Sequence, residues 1–225
     1  MLHLVGQTFS CSNCQKQLVF KTEKSNCLVC SGCHTINYRL ALPEKAGPVA
    51  EKVKEDMSIF RVGSTGVYGG KKFEVVGRIQ YFFQDGYRNH WNLIFSNNES
   101  AWLGDWAGNY SIFQEINGRY TDRFRQAAPG KKIELLKIDY EVEKLDEHRL
   151  TFAEGEFPDH NLEEKNFITI HLTHPTGAMA LANIYDKKKG DSAGVFTNVL
   201  ETYSGNYVEL SALNLQNLRL HDEWC

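Results

Sequence analysis

A mostly β protein is predicted, with an N-terminal four-cysteine ribbon ahead of two small antiparallel β units that echo each other, barrel-like or sandwich-like, and one or two short helices. Three observations predict it. Two C-x-x-C pairs are crowded into residues 11–33, hydrophobic residues recur with period two from Gly63 onward, and glycine outnumbers proline 18 to 5, a balance that suits short strands joined by turns. With 225 residues, 42% of them hydrophobic, the chain can bury a sizeable core.

The cysteines come first. "CSNC" supplies Cys11 and Cys14, and "CLVCSGC" supplies Cys27, Cys30 and Cys33, so two choices of second pair compete for one metal. A tetrahedral site wants two tight knuckles with two residues inside each. Ser31 and Gly32 are small and turn-forming, whereas Leu28 and Val29 prefer an extended strand. The predicted ligands are therefore Cys11, Cys14, Cys30 and Cys33, with Cys27 on the strand feeding the second knuckle and "QLVF" at 17–20 as a hairpin strand. This spacing and ligand set point to zinc, one ion per chain. Four thiolates leave no open position, so its expected role is structural. His34, just past the knuckle, is expected beside the site rather than on it.

Clustered C-x-x-C pairs read as metal ligands in a reducing compartment. The start, "MLHLVGQTFSCSNC", has neither a basic nor a long apolar region. The expectation is a cytoplasmic protein with at most indirect membrane contact. Lys and Arg against Asp and Glu number 10 and 17 in residues 128–225, so the last third is acidic and a basic footprint for nucleic acid is missing.

Residues 1–45 are assigned to the ribbon and 46–62 to a linker, where Val49, Val53 and Met57 fall at helical spacing after Pro48. The first β unit follows at 63–127. In "KKFEVVGRIQYFFQDG", Phe73, Val75, Ile79, Tyr81 and Phe83 are expected on one face, with a bulge or close approach at Gly77. Asp85-Gly86 makes a turn, "HWNLIF" returns, and "AWLGDW" follows, an antiparallel meander.

The second unit, 128–225, echoes the first. "KKFEVV" at 71–76 matches "IDYEVE" at 138–143, "WNLIF" at 91–95 matches "FITIHL" at 167–172, and "GNYSIF" at 108–113 matches "GNYVEL" at 205–210. The offset grows from 67 to 97, which places insertions in the second copy. One of them carries Phe196, Val199, Leu200 and Tyr203 at helical spacing.

These segments carry a resemblance. "DMSIFRVGSTGVYGGKKFEVVGRIQY", "AWLGDWAGNYSIF", "FAEGEFP" and "GNYVELSALNLQNLR" are similar to the bacterial family known as domain of unknown function 4178, over residues 10 to 220. The chain departs from that family at His90, where members tend to have an acidic residue before the tryptophan. The resemblance implies a zinc ribbon and an accessory protein among membrane-associated or stress-related assemblies. It implies a protein partner and no established reaction.

No nucleophile elbow or phosphate loop is legible; the glycines of "GSTGVYGG" read as a turn before a strand. A non-enzymatic protein is therefore expected. Trp91, Trp102, Trp106, Tyr110 and Tyr207 are candidate partner-binding aromatics, with Trp106 in a loop-like "GDWAGNY" the foremost. "AEGEFPDHNLEE", with Glu154, Glu156, Asp159, His160, Glu163 and Glu164, followed by His171 and His174, reads as a solvated acidic loop. The alternatives are a nucleic-acid module of ribbon plus barrel, and a metal-dependent enzyme built on that 154–164 loop.

Overall fold

The computed structural model describes residues 3–40, 56–84, 86–118, 120–158, 162, 166–185 and 199–219. The predicted linker helix falls mostly outside these residues, as do Asp159, His160, Glu163, Glu164, Phe196 and Cys225.

The chain is mostly β. Strands β1 (Thr8–Ser10) and β2 (Gln17–Val19) form one hairpin, and β3 (Cys27–Val29) and β4 (Ile36–Tyr38) a second. The first meander runs β5 (Thr65–Tyr68), β6 (Lys71–Phe83), β7 (Gly86–Phe95), β8 (Ser100–Trp106) and β9 (Asn109–Glu115). After a short helix α1 (Thr121–Phe124) comes a second: β10 (Lys132–Leu135), β11 (Ile138–Phe157), β12 (Asn166–Thr173), β13 (Ala178–Tyr185) and β14 (Val199–Tyr207). A 3-10 turn (Leu210–Leu213) follows β14. The helix expected around Val199 and Tyr203 is instead strand β14, because Tyr203 pairs with Leu181 on one side and Glu115 on the other.

The two meanders close on each other. Hydrogen bonding runs β6–β7–β8–β9–β14–β13–β12–β11 and back to β6, antiparallel at every step. The result is one ring of eight strands without an exposed edge of its own. Two seams join the halves, β6 to β11 and β9 to β14, and glycines let backbone approach backbone at each. A Cβ on Gly155 (φ +82°) would lie 2.3 Å from the Val76 carbonyl oxygen, and one on Gly205 would lie 2.1 Å from that of Ile112.

The same joint occurs in both halves. Gly63 N–H donates to the Val75 carbonyl at 2.7 Å, and Gly130 N–H to that of Val142 at 2.8 Å. The register then slips between Val75 and Gly77, and again between Val142 and Lys144. Each slip is a bulge, and a bulge exchanges the faces of the residues beyond it. Phe73 and Val75 therefore point outward with Trp91 and Leu93, while Ile79 and Tyr81 point inward with Trp102 and Phe113. This corrects the single face expected for that strand.

Structural equivalence also corrects two of the three sequence echoes. Val75 pairs with Leu93 as Val142 pairs with Leu172, so β7 and β12 correspond at an offset of 79, not 76. Trp102 pairs with Phe113 as Leu181 pairs with Tyr203, an offset of 90, not 97. The two "GNY" segments are neighbours, not equivalents: Val208 N–H donates to the Tyr110 carbonyl at 2.9 Å.

Three apolar layers follow. The ring interior is filled by Tyr81, Trp102, Phe113, Phe157, Phe167 and Tyr203. The outer face of the first meander is covered by Phe60 and Leu213, and that of the second by Phe124 and strand β10. Phe124 lies before the predicted boundary at residue 127 yet packs on the second half.

The ribbon is built into the same sheet. Strand β3 pairs with the end of β11, Cys27 opposite Phe157 and Val29 opposite Gly155. Glu156, between them, is buried and accepts hydrogen bonds from the backbone N–H groups of Lys21 and Thr22 at 2.7 and 3.3 Å.

Candidate functional site

The two knuckles share one construction. Gln15 N–H donates to the Cys11 carbonyl and His34 N–H to that of Cys30, with Gln15 and His34 both left-handed at φ 62° and 57°. Strands β1–β2 and β3–β4 thus present their thiols at matching turns. The Sγ atoms of Cys11 and Cys33 are 3.6 Å apart, as are those of Cys14 and Cys30, and all four lie within 4.8 Å of one another. A tetrahedron of thiolates around a metal at about 2.3 Å has edges of roughly 3.8 Å. Four cysteines therefore stand where they could hold a metal ion.

Nearby donors reach two of the sulfurs. Gly32 N–H points at the Cys30 sulfur at 3.4 Å and the Asn37 side-chain amide at that of Cys11 at 3.6 Å. Cys27 is buried in β3 with its sulfur 4.0 Å from the Phe157 carbonyl oxygen, apart from the cluster. The His34 ring packs edge-on against Phe152.

The five aromatic candidates separate. Trp91 and Trp102 are buried, the first beneath Phe60 and the second stacked on Phe157 inside the ring. Tyr110 packs edge-on against Phe60 on the outer face. Trp106 and Tyr207 both line a cavity of about 240 Å³ at one end of the ring.

The acidic segment is no solvated loop at its start. Glu154 and Glu156 belong to β11 because its seam with β6 and its pairing with β3 continue through them. Glu154 lies 4.0 Å from the buried Arg78 guanidinium. Burial raises both carboxyls above their ordinary range, against Arg78 in one case and the Lys21 N–H in the other. His174 is turned to Thr176 outside, while His171 points into the ring. Glu154 and Glu156, the described carboxylates of the 154–164 segment, thus lie on strand β11 beside Arg78 and the Lys21 N–H.

A charged cluster that sequence reasoning did not single out lies inside the ring, beside that cavity. Lys144, Asp146 and His148 alternate along β11 and face His171 on β12. Asp146 Oδ2 lies 2.8 Å from Lys144 Nζ and 3.2 Å from His171 Nε2. Arg88, from β7 across the lumen, brings Nη1 to 3.4 Å from His171 Nε2. Burial works against the Asp146 carboxylate, yet His171 and Lys144 overcome it and hold the group below its ordinary range. Burial pushes His171 down to about 4, against the pull of Asp146 and with the help of Arg88. His148, 2% exposed, has no hydrogen-bond partner among the described residues at either ring nitrogen. The signal in the sequence was the period-two polar run "EKLDEHRL" inside a strand, charged residues on the inward face.

Protein-family models, curated proteins and solved structures were all compared with this chain, and none matches. Among the described residues no helix is long and apolar enough to cross a membrane.

Proposed function

We propose that this chain is a non-enzymatic, zinc-containing accessory protein of the domain of unknown function 4178 family, working in the cytoplasm by binding another protein. The observation that carries the zinc reading is the spacing of the Cys11, Cys14, Cys30 and Cys33 sulfurs, close to the tetrahedral edge expected for this metal. With four thiolates the coordination sphere is closed, so the ion contributes folding energy and not a reactive site.

Partner binding fits the placement of Trp106 and Tyr207 at an open end of the ring, with Tyr207 49% exposed. Half-exposed aromatic residues on rigid strands make anchors. The test begins with metal analysis of protein purified without added metal. One zinc per chain, lost in a Cys30→Ser, Cys33→Ser variant, is expected; a different metal, or metal retained in the variant, overturns the assignment. Photo-crosslinking from position 207 in cells then tests the partner: a discrete adduct lost on Trp106→Ala is expected, and its absence removes the protein-binding reading.

A further inference from the structure

We propose that the cavity at the end of the ring is a binding site for a small monocarboxylate, whose carboxylate pairs with Arg88 and whose apolar body lies against Trp106 and Tyr207. This goes beyond the zinc and partner readings and stands without either.

The starting point is an unmet charge. Arg88 is 8% exposed, and its Nε has no hydrogen-bond acceptor. Its one polar side-chain contact among the described residues is Nη1 to His171 Nε2 at 3.4 Å, a long contact to a ring that carries no negative charge. The nearest carboxylate, Asp146, is already engaged by Lys144 and His171. A buried guanidinium is stable when paired, and its planar fork suits the two oxygens of a carboxylate.

The fork is also held in place. The guanidinium carbon lies 5.1 Å from the Phe83 ring centre and 5.2 Å from that of Trp106, and stacking of this kind fixes orientation. Arg88, Trp106, Ser111, Lys144, His171 and Tyr207 share the wall of the cavity of about 240 Å³. That volume falls below the roughly 300–1,000 Å³ of sites for drug-sized molecules, so the ligand is small.

The charge pattern selects among anions. Lys144 adds a second cation, while Glu143 stands exposed in the same wall. Asp105 also contributes to the wall, but its carboxylate accepts from the Ser58 hydroxyl at 2.5 Å on the outer side of the strand. One acid at the rim disfavours a dianion such as phosphate, and a single negative charge satisfies Arg88.

A metal is the competing occupant. Asp146, His148 and His171 bring ligand atoms within 4.8 Å of one another. Two cations already touch that group, Lys144 on the Asp146 oxygen and Arg88 on the His171 nitrogen. A divalent ion would add its charge to theirs in a poorly screened site.

Calorimetric titration of the purified full chain with sodium benzoate, sodium phosphate and manganese chloride tests the assignment. Saturable benzoate binding is expected, weakened at least tenfold by Arg88→Met. Phosphate is expected to bind at least tenfold more weakly than benzoate. The same Arg88→Met protein is expected to melt no lower than wild type, since it loses an unpaired buried charge. Tyr207→Ala, at a half-exposed position, should weaken benzoate severalfold and serves if Arg88→Met does not fold. No benzoate binding, binding unchanged in either variant, tighter phosphate binding, or manganese binding abolished by His148→Ala would each overturn the proposal.

Discussion

The carboxylate of Glu156 on β11 lies 2.7 Å from the backbone nitrogen of Lys21, two residues beyond the end of β2. This contact adds to the pairing of β3 with β11 in joining a small four-cysteine ribbon to an eight-stranded ring. It is stronger than its length suggests, because the acceptor is charged and the site is buried. Hydrogen bonds to charged groups contribute about 1.5–3 kcal/mol, and Thr22 N–H is left unmet as well if the carboxylate goes. Glu156→Ala is expected to cost about 2–4 kcal/mol, whereas Glu156→Gln keeps an acceptor and costs less. Urea denaturation gives the magnitude. Chelator-driven metal loss gives the location: it should accelerate in Glu156→Ala, because the hairpin that presents Cys11 and Cys14 is released from β11.

A second prediction concerns the turn that joins β10 to β11. Leu135 pairs with Ile138, so two residues, Leu136 and Lys137, make the reversal, and both are left-handed at φ 52° and 64°. The matching turn between β5 and β6 uses Gly69 and Gly70 at φ 56° and 76°. Left-handed conformation costs an ordinary residue roughly 1–2 kcal/mol, and Asn-Gly adopts it readily. Leu136 is also 52% exposed, so little packing is lost with it. Replacing Leu136-Lys137 by Asn-Gly should therefore raise stability by about 1–2 kcal/mol, read as a higher urea midpoint at unchanged slope.

The tryptophans separate structural from surface roles. Trp91 and Trp102 are 1% and 5% exposed, each in a different apolar layer, and truncation to alanine in such a place costs about 3–5 kcal/mol. Trp106 ends β8 beside the cavity, edge-on to Phe83 with ring centres 5.6 Å apart. Its alanine variant should lose under about 2 kcal/mol, since part of the ring already faces solvent. Three denaturation curves decide it; equal losses at all three positions would place Trp106 in the core.

These positions also show what could be read from the sequence. The clustering of Cys11, Cys14, Cys30 and Cys33 without Cys27 was legible because Ser31-Gly32 and Leu28-Val29 differ in the turn they permit, a local property. The meander was legible because period two is local as well. Closure of the ring was not, since seams between strands 70 or more residues apart leave only glycines such as Gly155 and Gly205 as a trace. The bulge expected at Gly77 was legible in its position, but its effect was not, and the bulge at Glu143 was not legible at all: one added residue preserves a hydrophobic run and exchanges its faces. That exchange hid Lys144, Asp146 and His148, which share the parity of the outward Tyr140 and Val142 until the slip turns them inward.

The inward histidines give the protein a defined response to acid. His171 is 7% exposed and lies against Asp146, Lys144, Arg88 and His148. Burial, with Arg88 adding to it and Asp146 opposing it, brings its folded value down to about 4 from an ordinary 6.5. Between those values the unfolded chain binds the proton and the folded one does not, so stability rises with pH across the window. His171 therefore contributes fully above pH 6.5, and that contribution is lost as the pH falls toward 4, to a total of about 3 kcal/mol. The raised carboxyls of Glu154 and Glu156 act with the opposite sign, because the folded state holds their protons more tightly. Comparing wild type with His171→Gln removes them from the account, since they are common to both. On going from pH 7 to pH 4 the wild type should lose about 3 kcal/mol more than the variant in urea denaturation. Parallel curves would mean that the imidazole is solvated, and that the end of the ring is wetter than its packing around Arg88 and Trp106 implies.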